Sequence, residues 1–230
     1  MALVCIFLSL ILGMSAALPQ GKCNEMTNLG AVTVCLRSAD QMDLILVDNN
    51  VNANVFLLCV HRYFTDLTRG TTFFSLATPS HFNAFLLEKF SAKDSIYVSV
   101  RNQRVTFQGQ DFQLNRWQSL CSTWDAASGL VQLWLDGKPS SMKFITNTNI
   151  TGPMIIVLGQ EQDTCGGGFD INQSFVGMIS DVHMWDSVLS PQHIDNYSQK
   201  FNFSAGNVLN WKSIEFHIRG RVLVQKDQQC

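Results

Sequence analysis

A group of oxygen-bearing side chains is crowded into one short segment of the chain. Glu161, Asp163 and Asp170 supply carboxylates, and Gln162 and Gln173 supply amide carbonyls. Carboxylates that lie this close together repel each other unless a cation neutralises them. Ca²⁺ takes six to eight oxygen ligands of these kinds on a flexible loop. The segment therefore predicts a calcium site and, through it, calcium-dependent ligand binding.

The elements that must position these side chains are a strand and a glycine-rich turn. The run 154–158 is continuously apolar and predicts a strand that ends just before the acidic segment. Gly166, Gly167 and Gly168 interrupt the segment in its middle. We expect the acidic side chains to lie on a loop at a strand end.

Short strand patterns separated by turn signals recur along the rest of the chain. One hairpin turn is predicted at Asp136-Gly137, and one helix is predicted to begin after an N-cap at Ser190, with Pro191 first, and to reach Lys200. This pattern is typical of an all-β, two-layer sandwich. The other strands are predicted over residues 55–60, 72–76, 95–100, 129–135, 142–146, 176–185 and 216–224.

The beginning of the chain has the pattern of a secretory signal peptide. Residues 1–17 contain no charged side chain, Leu3 to Met14 is apolar, and small residues lead to a cleavage position near Ala17. Later apolar stretches are too short to span a bilayer, which predicts a secreted domain over residues 20–230 without membrane insertion. The formal net charge of −2 and the absence of a basic cluster argue against a nucleic-acid binder.

Cysteines and glycosylation motifs fit an extracellular protein. Of the seven cysteines, Cys5 lies in the expected signal peptide, and the remaining six allow 15 pairings. None of them forms the Cys-x-x-Cys spacing of a zinc site. Asn149, Asn196 and Asn202 stand in glycosylation motifs, as does Asn172, where a glycan would crowd the acidic loop.

Several longer motifs resemble the pentraxin signature from about Val55 to the C-terminus. The resemblance implies a flattened jelly-roll of two antiparallel sheets, similar to legume lectins, with one short helix. It also implies a non-enzymatic, secreted protein of innate immunity and the acute phase, assembled as a ring of usually five subunits. Its calcium-dependent, lectin-like face would bind phosphocholine, phosphoethanolamine or carbohydrate. The motifs are Cys121-Ser-Thr-Trp124, Trp134-Leu-Asp-Gly-Lys-Pro139, Leu158-Gly-Gln-Glu-Gln-Asp163, Met184-Trp-Asp-Ser-Val-Leu-Ser-Pro191 and Asn207-Val-Leu-Asn-Trp211.

The resemblance also implies roles for individual residues. Two Ca²⁺ ions would share the acidic loop, with Glu161 and Asp163 bridging both ions. Gln162 would give its backbone carbonyl to the first ion, and Cys59 would form a disulfide with Cys121. The complete implied ligand set is Asn83, Glu161, Gln162, Asp163, Asp170 and Gln173.

The chain departs from the family pattern at some positions. Phe82 stands where an aspartate is expected, so the first calcium site loses one charged ligand, and the charge count of the ligands tunes calcium affinity. Cys23, Cys35, Cys165 and Cys230 are additional, and their pairing stays open within or between subunits.

Two other functions are compatible with these residues. The first is a structural or matrix protein of pentraxin fold with weakened calcium binding, for which Phe82 is the argument. The second is a jelly-roll glycosidase, whose paired carboxylates would lie about 5–5.5 Å apart. Glu161 and Asp163 would share a face if their strand extended that far. Cys165, however, occupies the position where a third acid is expected.

Overall fold

The computed structural model describes residues 32–36, 43–48, 53–64, 66–90, 94–214, 216–219 and 222–226. None of the described helices is long and apolar enough to cross a membrane. The strands are β1 (Val32–Leu36), β2 (Asp43–Asp48), β3 (Val55–Phe64), β4 (Thr71–Thr78), β5 (His81–Lys89), β6 (Ser95–Val100), β7 (Gln103–Gln108), β8 (Trp117–Asp125), β9 (Leu130–Leu135), β10 (Lys138–Pro139), β11 (Lys143–Phe144), β12 (Met154–Leu158), β13 (Gly177–Trp185), β14 (Leu209–Asn210), β15 (His217–Arg219) and β16 (Val222–Lys226).

The strands form two antiparallel sheets. Sheet A has the order β10-β9-β8-β3-β13-β1-β16, with β11 beside β9 and β14 beside β13. Sheet B has the order β15-β2-β12-β4-β5-β6-β7. A short 3-10 turn (Ile171–Gln173) and one α-helix, α1 (Pro191–Ser198), complete the described fold. The predicted all-β jelly-roll sandwich with one short helix is confirmed.

The hydrophobic core lies between the two sheets. Phe56 of β3 and Phe85 of β5 are fully buried, and their rings meet edge to face with centroids 4.4 Å apart. Trp124 is also fully buried, and its indole N–H donates to the carbonyl of Thr146 at 3.0 Å. Each such large apolar side chain contributes about 1.5–3 kcal/mol on burial. This core joins the two sheets, and the acidic segment follows β12 of sheet B.

Two of the predicted strands were wrong in extent. Of the predicted run 142–146, only Lys143–Phe144 is strand, and the side chain of Phe144 is exposed. The run 216–224 contains parts of two strands in different sheets, because β15 pairs with β2 and β16 pairs with β1. An apolar pattern records burial but not the sheet in which a strand finds its partner.

The helix and the disulfide agree with the sequence. The hydroxyl of Ser190 accepts from the N–H of His193 at 3.3 Å, and Pro191 is the first helical residue. The helix ends at Ser198, because Lys200 already has a φ of 57°. Cys59 and Cys121 face each other across β3 and β8 and form the predicted disulfide.

Candidate metal centre

The segment that follows β12 folds back over the outer face of sheet B, and Gln162 anchors it. The side-chain amide of Gln162 donates to the carbonyls of Ser75 at 3.0 Å and Ile155 at 3.1 Å. Its Oε1 accepts from the N–H of Gly166 at 2.9 Å. These contacts commit the side chain to holding the loop on β4 and β12, which leaves the backbone carbonyl as the group that can serve a cation.

The glycines close the tip of this loop and hold Asp163 in place. Thr164 and Gly167 exchange backbone hydrogen bonds of 3.2 and 3.0 Å. Gly168 has a φ of 74°, and a Cβ added there would lie 2.7 Å from the Cβ of Asp163. Any larger residue would therefore have to push Asp163 away, so glycine at this position fixes where the carboxylate stands.

Asp170 and Gln173 lie at the two ends of the 3-10 turn. Oδ1 of Asp170 accepts from the backbone N–H and from the side-chain amide of Asn172, both at 2.9 Å. Arg69, from the connection between β3 and β4, donates to the carbonyl of Ile171 and holds the turn against sheet B. Asp170 therefore has a capping role that its sequence position alone does not reveal.

The centre of the site is Glu161 with an amide on each side. Glu161 is 5% exposed, and its Oε1 accepts from Nδ2 of Asn83 at 3.1 Å. The side chain of Gln173 also forms a hydrogen bond with Glu161. Both amides use their N–H groups in this way, and Asn83 Oδ1 and Gln173 Oε1 are left buried without a hydrogen-bond partner among the described residues. Each such oxygen costs about 1–3 kcal/mol.

This donor set fits a hard cation. Carboxylate and amide oxygens are the ligands of Ca²⁺, and rotating the amides of Asn83 and Gln173 would turn their oxygens inwards beside Glu161. The described residues contain no cluster of three or more His, Cys, Asp and Glu side chains at metal-binding spacing. Asp163 is exposed and Asp170 caps its turn, and the side chains that form hydrogen bonds with Glu161 are the amides of Asn83 and Gln173.

The electrostatics of the site also favour a cation. Burial raises the pKa of Glu161, the hydrogen bond from Asn83 opposes this shift, and the charge of Asp163 adds to it. Glu88 on β5 is 4% exposed, and burial followed by the charge of Glu161 raises its pKa to about 7. Arg104 lies 2.8 Å from Glu88 and opposes that shift. A bound cation would relieve the repulsion between Glu88 and Glu161.

Some residues of this site were not identified from the sequence. Glu88 and Arg104 lie on strands that are distant from the acidic loop in the sequence and close to it in the folded chain. Ser75 accepts a hydrogen bond from the backbone N–H of Gln162 at the start of the loop. The available signal was a charged residue at the end of the apolar run 84–87. Phe82 is 41% exposed, and its side chain has no oxygen that could bind a cation, as expected from the sequence.

The remaining sequence predictions lie away from the metal centre or outside the described residues. Asn149 and Asn202 are exposed, whereas Asn196 lies in α1 and accepts from the amide of Gln192 at 3.1 Å. All three stay predictions of glycosylation. Cys165 is exposed and forms no disulfide with any residue that the structure describes. The signal peptide at 1–17, Cys23 and Cys230 lie outside the described residues, and the described part of the chain places Cys35 in β1.

The geometric premise of the glycosidase alternative is not met. The strand ends at Leu158, before the acidic residues begin. Glu161 is then buried while Asp163 is exposed, so the two carboxylates do not share a strand face. Their arrangement is that of a loop built around an oxygen cluster.

The chain is similar in sequence to the members of one protein family, and it shares its fold with a solved member. A model of the Pentaxin family matches residues 36–226. A C-reactive protein of Xenopus laevis is 43% identical over 180 residues, which cover 75% of this chain and 73% of the relative. A serum amyloid P-component of Mus musculus is 38% identical over 172 residues, 74% of this chain and 75% of the relative. A heptameric SAP-like pentraxin from Limulus polyphemus is 20% identical and shares the fold, with a TM-score of 0.76 over 89% of this chain and 99% of that one.

Proposed function

The chain belongs to the pentaxin family, and from this premise we propose that it is a secreted, non-enzymatic pattern-recognition protein of innate immunity that binds its ligands through Ca²⁺ at the acidic loop. Its ligands are phosphorylated head groups or carbohydrates. The relatives named C-reactive protein and serum amyloid P-component support this class of function.

One observation carries the calcium part of the proposal. Asn83 Oδ1 and Gln173 Oε1 are buried acceptors without a hydrogen-bond partner among the described residues, and their amides flank the buried carboxylate of Glu161. Buried polar atoms in native proteins are normally satisfied, so a pair of unsatisfied oxygens beside a carboxylate calls for an electrophile. Ca²⁺ is the cation that takes this mixture of carboxylate and amide oxygens.

The residues divide between two ions. Glu161 and Asp163 would contact both, and the backbone carbonyl of Gln162 would serve the first. A bound Ca²⁺ supplies open coordination positions for phosphate or carboxylate oxygens of the ligand. The proposed ligand sets are Asn83, Glu161, Gln162 and Asp163 for the first ion, and Glu161, Asp163, Asp170 and Gln173 for the second.

The chain itself keeps these ligands in place. Gln162 fixes the start of the loop on Ser75, and Arg69 fixes the 3-10 turn that carries Asp170 and Gln173. Because these anchors are hydrogen bonds to a packed sheet, the loop needs little further ordering when a cation binds.

Multivalency would convert a modest single-site affinity into firm attachment. We propose a homo-oligomeric ring, pentameric by family resemblance, in which identical sites point to one side. Met142 and Phe144 are 61% and 62% exposed near one edge of sheet A and offer apolar surface for a subunit contact. Linked sites gain about 10² to 10⁴ in avidity where their spacing matches that of the ligand.

The test is the variant Glu161→Gln, which keeps the shape of the side chain and removes its charge. We expect calorimetry to show at least a hundredfold loss of calcium affinity, together with loss of calcium-dependent retention on immobilised phosphoethanolamine. The matched control is Asp111→Asn, which removes an exposed carboxylate elsewhere and should change neither measurement. Retention of Glu161→Gln equal to wild type, or retention of wild type in EDTA, would contradict the proposal.

A structural or matrix role with weak calcium binding is the second candidate. Phe82 favours it, because an exposed phenyl ring stands directly before Asn83 and contributes no charge to the first ion. Calorimetry of the wild-type protein separates the two functions. A recognition protein should bind Ca²⁺ at or below the millimolar concentrations of extracellular fluid, and the alternative should not.

A further inference from the structure

A polar row crosses the outer face of sheet B next to the acidic loop. Ser99 on β6 stands opposite Arg104 on β7, and Tyr97 on β6 stands opposite Glu88 on β5. The alternate residues of β6, such as Val98, point into the core, so these four side chains share the outer face. We call Glu88, Tyr97, Ser99 and Arg104 the Arg104 cluster.

Three contacts hold the guanidinium of Arg104 in one place. Its Nε donates to the hydroxyl of Ser99 at 3.4 Å, and its Cζ lies 5.2 Å from the centre of the Tyr97 ring. Its Nη2 lies 2.8 Å from Oε1 of Glu88, as an ion pair without the alignment of a hydrogen bond. Because the side chain is already ordered, Arg104 itself loses little further conformational entropy when a ligand binds.

The guanidinium combines a buried partner with an accessible face. The Glu88 side chain is 6% exposed, whereas that of Arg104 is 41% exposed. Arg104 is anchored at its Glu88 end, and its remaining N–H groups can reach a ligand. A planar guanidinium binds a carboxylate or phosphate through two parallel hydrogen bonds, which an ammonium group cannot do.

The Arg104 cluster is one strand away from the loop that holds the proposed calcium ligands. Arg104 starts on β7 and reaches across β6 to Glu88 on β5. Gln162 lies over Ser75 on β4, the next strand of the sheet. Neighbouring strands are about 4.8 Å apart, so the guanidinium and the Glu161–Gln162 segment lie roughly 5–10 Å apart. One small ligand can span that distance.

We infer that Arg104 determines ligand specificity at the proposed calcium site by binding a second anionic group of the ligand. This inference rests on the proposed function, since the first anionic group of the ligand is bound by Ca²⁺. The preferred ligand class is a phosphoester that carries a carboxylate a few bonds from its phosphate. A quaternary ammonium group in the same place would meet the positive charge of Arg104 and is disfavoured.

Free O-phosphoserine and O-phosphoethanolamine are a matched pair of probes, because they differ only by the carboxylate. Both are titrated into the calcium-loaded, full-length protein by calorimetry, with phosphocholine as a third ligand. We expect O-phosphoserine to bind about tenfold more tightly than O-phosphoethanolamine, and phosphocholine to bind no more tightly than O-phosphoethanolamine. In Arg104→Gln the two phosphoesters should bind equally, with calcium affinity at most slightly changed.

The control variant is Arg116→Gln, which removes an exposed guanidinium before β8 and should keep the tenfold preference. Equal binding of both phosphoesters to the wild type, or a preference that survives Arg104→Gln, overturns the role of Arg104 and leaves the proposed function standing. Failure of all three ligands to bind in a calcium-dependent way overturns both proposals.

A parallel experiment with vesicles that contain phosphatidylserine identifies the source of the headgroup. Binding that depends on Arg104 assigns the site to a lipid headgroup. Binding of soluble O-phosphoserine alone assigns it to a free phosphoester. Both outcomes support a ligand that is bound jointly by Ca²⁺ and Arg104. Vesicle binding that is unchanged in Arg104→Gln contradicts this.

Discussion

The outer faces of the two sheets differ in the hydrogen bonding of their buried polar groups. On the helix face, which is the side of sheet A covered by α1, the hydroxyl of Tyr197 donates to the carbonyl of Asp181 at 2.6 Å. The ring of His61 is hydrogen-bonded to the Tyr197 carbonyl at 3.2 Å. On the loop face, which is the side of sheet B covered by residues 159–173, Asn83 and Gln173 retain acceptor oxygens without partners among the described residues.

The chemical character of the unpaired groups matters more than their presence. The helix face also contains a buried atom without a hydrogen-bond partner in the described part of the chain, the indole nitrogen of Trp134. That group is a donor, and it can offer nothing to a cation. The unpaired atoms of Asn83 and Gln173 are acceptors, and they belong to amides that form hydrogen bonds with the carboxylate of Glu161. Unpaired acceptors near a carboxylate indicate a cation site, whereas an unpaired donor in a packed layer does not.

The prediction with the largest expected effect is that calcium binding on the loop face depends on the glycine-rich turn. In Gly168→Ala the new methyl group would displace Asp163, and we expect calcium affinity measured by calorimetry to fall more than a hundredfold. Gly109→Ala is the matched control. Its φ of 72° is equally unfavourable for alanine, yet nothing lies within 4 Å of the new methyl group. Both variants should lose about 1 kcal/mol of stability. An equal loss of calcium affinity in both would break the link to Asp163.

The second prediction concerns stability against pH on the loop face. The pKa of Glu88 is raised from its ordinary value of 4.5 to about 7 in the folded protein, chiefly by burial and then by Glu161. The folded state therefore binds the Glu88 proton more tightly than the unfolded state. This contribution is complete below about pH 4.5 and is lost as pH rises to about 7, by roughly 2–3 kcal/mol. Urea unfolding in EDTA between pH 5 and 8 measures it.

The variant Glu88→Gln removes this titration, so the stability of the wild type relative to the variant should fall as pH rises from 5 to 8. Arg104, which opposes the shift, is left unchanged. The control Asp111→Asn removes an exposed carboxylate and should follow the wild-type curve. Burial lowers the pKa of His183 and of His61, and both groups therefore add stability as pH rises, so the prediction concerns the difference between the wild-type and Glu88→Gln curves. A difference that stays constant between pH 5 and 8 would contradict it.

The third prediction adds a ligand to the loop face. In Phe82→Asp a carboxylate replaces an exposed ring directly before Asn83, and we expect calcium affinity to rise about tenfold because the ligand charge increases. Phe201→Asp makes the same change at a 64% exposed ring on the helix face and should leave calcium affinity unchanged. Calorimetry compares the two variants. An equal gain in both would mean that net charge, rather than a local ligand, sets the affinity.

The sequence predicted features whose cause is local. The N-cap at Ser190 and the hairpin turn at Asp136 depend on neighbouring residues, and the structure confirms both. The acidic loop follows an apolar strand as expected, because the end of the apolar run predicts where the strand ends. Asn83 was predicted as a calcium ligand only by family resemblance, because 78 residues separate it from Glu161 in the sequence.

What could not be predicted depends on which partner a polar group finds. The pairing of Glu88 with Arg104 requires two strand registers, and each must be known before the charges can be brought together. Asp170 is of the right type for a ligand, but its Oδ1 caps the 3-10 turn. Residue type gives the chemistry that is possible, and only the fold decides which contact uses it.

The smallest expected effect tests the helix face. Tyr197 is 1% exposed, and its hydroxyl donates to the Asp181 carbonyl, so Tyr197→Phe removes one buried hydrogen bond and leaves the ring in place. We expect a loss of about 1–2 kcal/mol in the free energy of unfolding, measured by urea titration, and no change in calcium affinity. Val105→Ala, a truncation of a partly buried side chain on β7, controls for general loosening of the domain. If Tyr197→Phe weakened calcium binding while Val105→Ala did not, the two faces would be energetically coupled, and unpaired acceptors alone would no longer explain where the cation binds.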